Sequence, residues 1–114
     1  MASKVDLELI QGDDPTVTMR ITSGGVAQDL TGKRVELLVK PTRHTADSAE
    51  MFRLSSVDGG ISVTDTVGGE AVADFTNQLA TAGDFWYRAW IADAADEATD
   101  RRTFAYGSLS VIPA

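Results

Sequence analysis

Cysteine is absent from this 114-residue sequence, which removes disulfides, thiolate metal sites and cysteine nucleophiles together. That composition suits a protein made in a reducing cytoplasm. Histidine occurs once, as His44, between Arg43 and Thr45 in a polar stretch. A catalytic histidine needs a hydroxyl to activate and a third group to orient it, so His44 reads as a solvated loop residue. No G-x-S-x-G elbow, P-loop or G-x-G-x-x-G element occurs. Long apolar runs are missing too: nothing approaches the roughly 20 residues of a membrane helix, and "MASKVDLEL" has no signal-peptide core. Basic residues are few, ten against seventeen acidic, giving a formal net charge of −7. Phosphate binding needs clustered Lys and Arg, and the only basic pairs are Lys33-Arg34 and Arg101-Arg102. Neither nucleic acid nor membrane is therefore an expected partner. No cofactor and no catalytic residue is assigned.

What is present is alternation. Residues 5–10 place Val5, Leu7 and Leu9 on one face; residues 16–23 place Val17, Met19 and Ile21 inward and Thr16, Thr18, Arg20 and Thr22 outward. Residues 33–40 turn Val35, Leu37 and Val39 inward, and Pro41 ends that strand. Residues 42–50 read as an exposed loop or a single helical turn, and 50–57 as an edge strand. Residues 61–64 and 70–76 form the next strands, the second with Ala71, Ala73 and Phe75 inward. Leu79 plugs the core from a crossover, and residues 85–93 and 103–112 close the chain as a long hairpin. About seven to nine short strands joined by Gly-rich turns predict an all-β, immunoglobulin-like antiparallel β-sandwich, one domain over residues 1–114.

Between the first two strands stands Gln11-Gly12-Asp13-Asp14-Pro15. Pro15 forbids a continuous central strand, Gly12 permits a sharp turn, and aspartates satisfy nearby backbone N–H groups. The stretch predicts a corner at which the chain switches sheets.

Two chemical candidates remain. Asp93, Asp96, Glu97 and Asp100 in "DAADEATD" cluster oxygen ligands in the last hairpin loop, as a calcium site would, but without EF-hand order. The other candidate is aromatic. In "DFWYRAWIAD", inward Phe85, Tyr87, Ala89 and Ile91 leave Trp86, Arg88 and Trp90 on the opposite face. Inward Leu109 and Val111 put Phe104 and Tyr106 outward, unless a bulge at Gly107 intervenes. If these strands neighbour residues 33–40, then Leu38, Trp86, Arg88, Trp90, Phe104 and Tyr106 form an outer stripe of the residue types enriched at interface hot spots. Two alternatives stay open: a different parity, or a loop such as residues 42–50 folded over the stripe.

The order of these pieces carries a resemblance. Gln11-Gly12-Asp13-Asp14, Leu30-Thr31-Gly32 with Val35, Gly60-Ile61-Ser62-Val63-Thr64-Asp65, Gly83-Asp84-Phe85-Trp86-Tyr87 and Gly107-Ser108-Leu109-Ser110-Val111 span nearly the whole sequence. In that order they resemble the N-terminal immunoglobulin-like domain of phage baseplate upper proteins and related small tailed-phage virion proteins. The resemblance implies a virion structural part, made in the bacterial host cytoplasm, that holds position by protein–protein contacts. Expected partners are the major capsid protein or tail and baseplate proteins, and a homo-oligomer is compatible with the role. Trp86 and Trp90 depart from the baseplate pattern, and the sequence ends at Ala114, where the baseplate protein continues into a shaft. Both differences favour a capsid accessory or decoration protein over a tail or baseplate subunit. A reading from another class, a carbohydrate-binding module stacking sugars on Trp86 and Trp90, rests on those rings being exposed.

Overall fold

The computed structural model describes residues 2–96 and 101–114. Among the described residues eleven strands alternate with turns: β1 (Ser3–Lys4), β2 (Leu7–Ile10), β3 (Thr16–Arg20), β4 (Thr22–Ser23), β5 (Val26–Ala27), β6 (Lys33–Lys40), β7 (Phe52–Ser55), β8 (Ile61–Asp65), β9 (Glu70–Asp74), β10 (Gly83–Asp93) and β11 (Arg102–Ile112). A 3₁₀ turn, Asp47–Ala49, lies between β6 and β7. One sheet runs β1-β11-β10-β6-β7, with β2 also paired to β11; the second runs β3-β9-β8, and β4-β5 make a small separate hairpin. The fold is an immunoglobulin-like β-sandwich.

The faces follow the side-chain alternation. Val35, Leu37, Val39, Ala71, Ala73, Phe75, Tyr87, Ala89, Ile91, Leu109 and Val111 all turn into one core, which Leu79 and Ile21 complete. Phe52 meets Phe75 edge-on, with centroids 6.1 Å apart. The expected inward face of the first strand is thinner than its pattern suggested: Leu7 and Leu9 are half-buried, and Val5 is exposed.

The Gln11–Pro15 stretch is a sheet-switching corner. β2 belongs to the first sheet and β3 to the second, so the chain crosses the sandwich in five residues. Gly12 takes φ +82°, a region costly for other residues, and donates its N–H to Leu79 O at 2.9 Å. Gln11 Nε2 donates to Ala80 O, Asp14 Oδ1 accepts from Asn77 N, and Pro15 O accepts from Phe75 N. Asp14 therefore stitches the corner to the β9–β10 crossover, and Asp13 donates its main-chain N–H to Ile10 O at 3.1 Å within the turn.

The strand expected over residues 5–10 begins only at Leu7, and Val5 and Asp6 separate it from the short β1. Val5 N–H bonds Tyr106 O, the Tyr87 hydroxyl donates to Val5 O at 2.5 Å, and Asp6 Oδ1 accepts from Ser108 N. This contact needs Gly107, because a Cβ there would collide with Val5 O. Burial, with the Asp6 charge adding to it, pushes the Tyr87 phenol up to about 12.

Candidate interface on the outer sheet face

The first sheet brings β7, β6, β10 and β11 side by side, which is the adjacency the aromatic stripe required. Arg88 lies opposite Leu38 on β6 and Tyr106 on β11; Trp86 faces Lys40, and Trp90 faces Glu36. Five of the six expected residues, Leu38, Trp86, Arg88, Trp90 and Tyr106, thus share the outer face. Phe104 does not. The β10–β11 register shifts between Ala89 and Trp90, so Ala89 pairs with Ala105 while Trp90 pairs with Thr103. That bulge lies three residues before Gly107 and turns Phe104 to the main core.

The face is closed. Leu38, Trp90 and Ala92 are fully buried and form a second, smaller core on the far side of the sheet. The expectation of an exposed stripe is corrected at Leu38 and Trp90. Residues 41–51 fold back over the sheet, tethered by charge: Lys40 Nζ donates to Thr45 O at 2.7 Å and to Asp47 Oδ1 at 3.1 Å, and Arg88 pairs with Asp47 Oδ2. Desolvation raises the Asp47 pKa, but the Lys40 hydrogen bond and the charges of Arg88, Lys40 and Arg101 outweigh it. The carboxyl is held below its usual range.

Arginines complete the cover. The guanidinium carbons of Arg101, Arg88 and Arg53 stand 4.6, 4.9 and 5.4 Å from the Trp90 ring centroid. Arg43 stands 5.6 Å from the Trp86 centroid, and Trp86 leans on Tyr106 at 5.9 Å. Trp86, Arg88 and Tyr106 remain half-buried. Below them Glu36 is fully buried, with Arg34 Nε 2.9 Å from its Oε1. That contact is an ion pair without the alignment of a hydrogen bond. Trp90 Nε1–H has no acceptor among the described residues.

A carbohydrate module would need an accessible indole face, and Trp90 offers none. His44 is exposed on the covering loop. In the last hairpin loop, Asp93 Oδ1 accepts from Ala95 N in a local turn and Asp96 is exposed; Glu97 and Asp100 lie outside the described residues. No group of three metal-ligating side chains occurs among the described residues.

Sequence reasoning placed Arg88 beside Trp90 but missed the buried Arg34–Glu36 pair and the approach of Arg53 and Arg101 to that ring. The signal was in the outward positions of β6, which read Arg, Glu, Leu, Lys. A leucine amid long charged side chains is what a sheet face looks like when those chains lie flat and cover it.

No protein-family model matches the chain, and no curated protein matches it. Among solved structures the chain is similar to the ASH / PapD-like domain of human CEP192 (PapD-like domain 7), with a TM-score of 0.39 and 10% identity, over 100% of this chain and 84% of that one. At that distance the likeness carries no argument about function.

Proposed function

We propose that the chain is a structural protein of a tailed-phage virion, an accessory or decoration protein of the capsid that works through contacts with other virion proteins. The order of its turn elements carries the reading: Gln11-Gly12-Asp13-Asp14 at a corner, Leu30-Thr31-Gly32 leading into β6, Gly60 leading into β8, and Gly107-Ser108-Leu109-Ser110-Val111 in β11. The departures at Trp86 and Trp90 from the baseplate pattern support the capsid over the tail. The mechanism is passive. A sandwich with cores on both faces of its larger sheet presents a stiff surface, and repeated copies on a symmetric lattice each add their contact energy. The contact falls to strand edges and to the half-buried rim of Trp86, Arg88 and Tyr106, since Leu38 and Trp90 are spoken for within the chain.

Immunogold electron microscopy of the phage particles, with an antibody raised to this chain, tests the proposal. Gold over the heads is the expected result. Gold at the tail or its tip would move the protein to the baseplate, and particles free of gold after epitope exposure would overturn the virion reading.

A further inference from the structure

We propose that β3 is a docking edge for β3 of a second copy of this chain, the two strands pairing antiparallel about Thr18. The inference stands whether or not the chain is a virion protein. β3 ends its sheet, with β9 on one side and no paired strand on the other among the described residues. Pro15 O accepts from Phe75 N at 3.0 Å, and Ile21 N donates to Gly69 O at 2.7 Å. Strand parity then aims the main chain of Pro15, Val17, Met19 and Ile21 at β9, and that of Thr16, Thr18 and Arg20 at the open edge. The side chains of those three residues are exposed. Beside the edge runs a groove of about 290 Å³ whose apolar lining includes Val5, Leu7, Val17, Met19 and Phe104.

Exposed edges are usually blunted by Lys, Pro or a bulge. Between Thr16 and Arg20 β3 carries no Lys, Pro or bulge, its register with β9 is unbroken, and its one charge, Arg20, is already paired with Glu70. β8, at the other end of the same sheet, is bulged between Val63 and Asp65.

The sequence of β3 fits a copy of itself. Antiparallel pairing about Thr18 sets Thr18 against Thr18, Arg20 against Thr16, and Thr22 against Asp14 of the second copy. Each of the three edge-facing pairs exchanges two main-chain hydrogen bonds. Arg20, which already meets Glu70 at 3.1 Å, gains Asp14 of the second copy as a diagonal neighbour, and no like charges meet. Neighbouring registers are worse: pairing about Arg20 opposes two guanidinium groups, and pairing about Thr16 draws Pro15 and the acidic corner into the ladder. A five-residue edge contact is small, so a dissociation constant on the order of 100 µM is expected.

Sedimentation equilibrium of the whole chain, from about 10 µM to about 1 mM at ~0.15 M salt, tests this. Wild type is expected to dimerise across that range. Thr18→Lys and Thr18→Glu, each alone, should be monomeric at the top concentration, while their equimolar mixture should associate at least ~10-fold more tightly than either. Only pairing about position 18 brings Lys and Glu together. Thr18 is exposed, so both variants should keep the wild-type circular dichroism and unfolding midpoint. Should either fail to fold, amide exchange of wild type at the two concentration extremes decides: Thr16, Thr18 and Arg20 should slow with concentration, and Val17 and Met19 should not. A monomer at 1 mM, a Thr18→Lys variant that dimerises like wild type, or concentration-dependent protection elsewhere would overturn the proposal. Protection of the β3 amides only on adding a foreign extended peptide would give the edge to a different partner and overturn it equally.

Discussion

Replacing Trp90 with alanine is the sharpest perturbation of the closed outer face. A tryptophan buries roughly 200 Å², worth about 5 kcal/mol at ~25 cal/mol per Å². Alanine retains part of that, and a core collapsing partway around the void keeps Trp→Ala losses near 3–5 kcal/mol. Loss of the Arg53, Arg88 and Arg101 contacts adds some tenths to about 1 kcal/mol each. Removing an indole N–H that has no acceptor among the described residues gives back about 1–3 kcal/mol. The net expectation is about 4 kcal/mol, a large share of the 5–15 kcal/mol that holds a domain folded. In urea this moves the midpoint down by about 2 M, taking a slope near 2 kcal/mol per M. Trp86→Ala is the control: Trp86 is half-buried and should cost about 1–2 kcal/mol. Far-UV circular dichroism follows both variants. A Trp90→Ala loss below about 1 kcal/mol, or one smaller than that of Trp86→Ala, would refute the closed-core reasoning.

Three further outcomes follow from the same geometry. Arg34→Ala removes one ion-pair partner of the fully buried Glu36 carboxylate and should cost about 1–3 kcal/mol, whereas Arg34→Met with Glu36→Leu should recover most of it in urea titration; equal losses would show that the pair's charge is not the issue. Gly69→Ala should be the worse of two matched glycine changes. Gly69 and Gly32 share φ +70°, but at Gly69 a Cβ would come within 2.5 Å of Ile21 O and 2.8 Å of Gln28 O, and at Gly32 it meets nothing. About 3 kcal/mol or more against about 1 is expected from thermal unfolding. Asp47, with its pKa depressed in the folded state, lends stability above the usual carboxylate value that is lost as pH falls below about 4. Asp47→Asn should therefore flatten part of the acid slope of the urea midpoint between pH 6 and pH 2; an unchanged slope would remove the loop tether from the account.

Most strands were legible because their residues alternate and are bounded by glycine or proline. Val35, Leu37 and Val39, or Ala71, Ala73 and Phe75, state their face without help from any neighbour. The corner at Gln11–Pro15 was legible for a similar local reason: Gly, Asp and Pro each constrain the backbone where they stand. The covering loop stood only as one of two open alternatives. Residues 41–51 hold no apolar anchor that a pattern could reveal, and the tether is Asp47 reaching Arg88, 41 residues away. Phe104 was misplaced because one bulge inverts parity upstream of it, and nothing in "RTFAYGSL" marks which residue is extra. The break at Val5 and Asp6 depends on Gly107 and Tyr87, at the other end of the sequence. Local chemistry gave the strands their identity; distant contacts decided which outward residues stay in solvent.

The closed outer face can be tested most directly by following the two indole N–H protons in exchange with deuterated solvent, resolved by NMR. The Trp90 proton should exchange at least ~100-fold more slowly than that of half-buried Trp86, at a rate set by opening of the fold. Equal rates for the two indoles would contradict a second core around Trp90 beneath Arg53, Arg88 and Arg101 and return Trp90 to the surface.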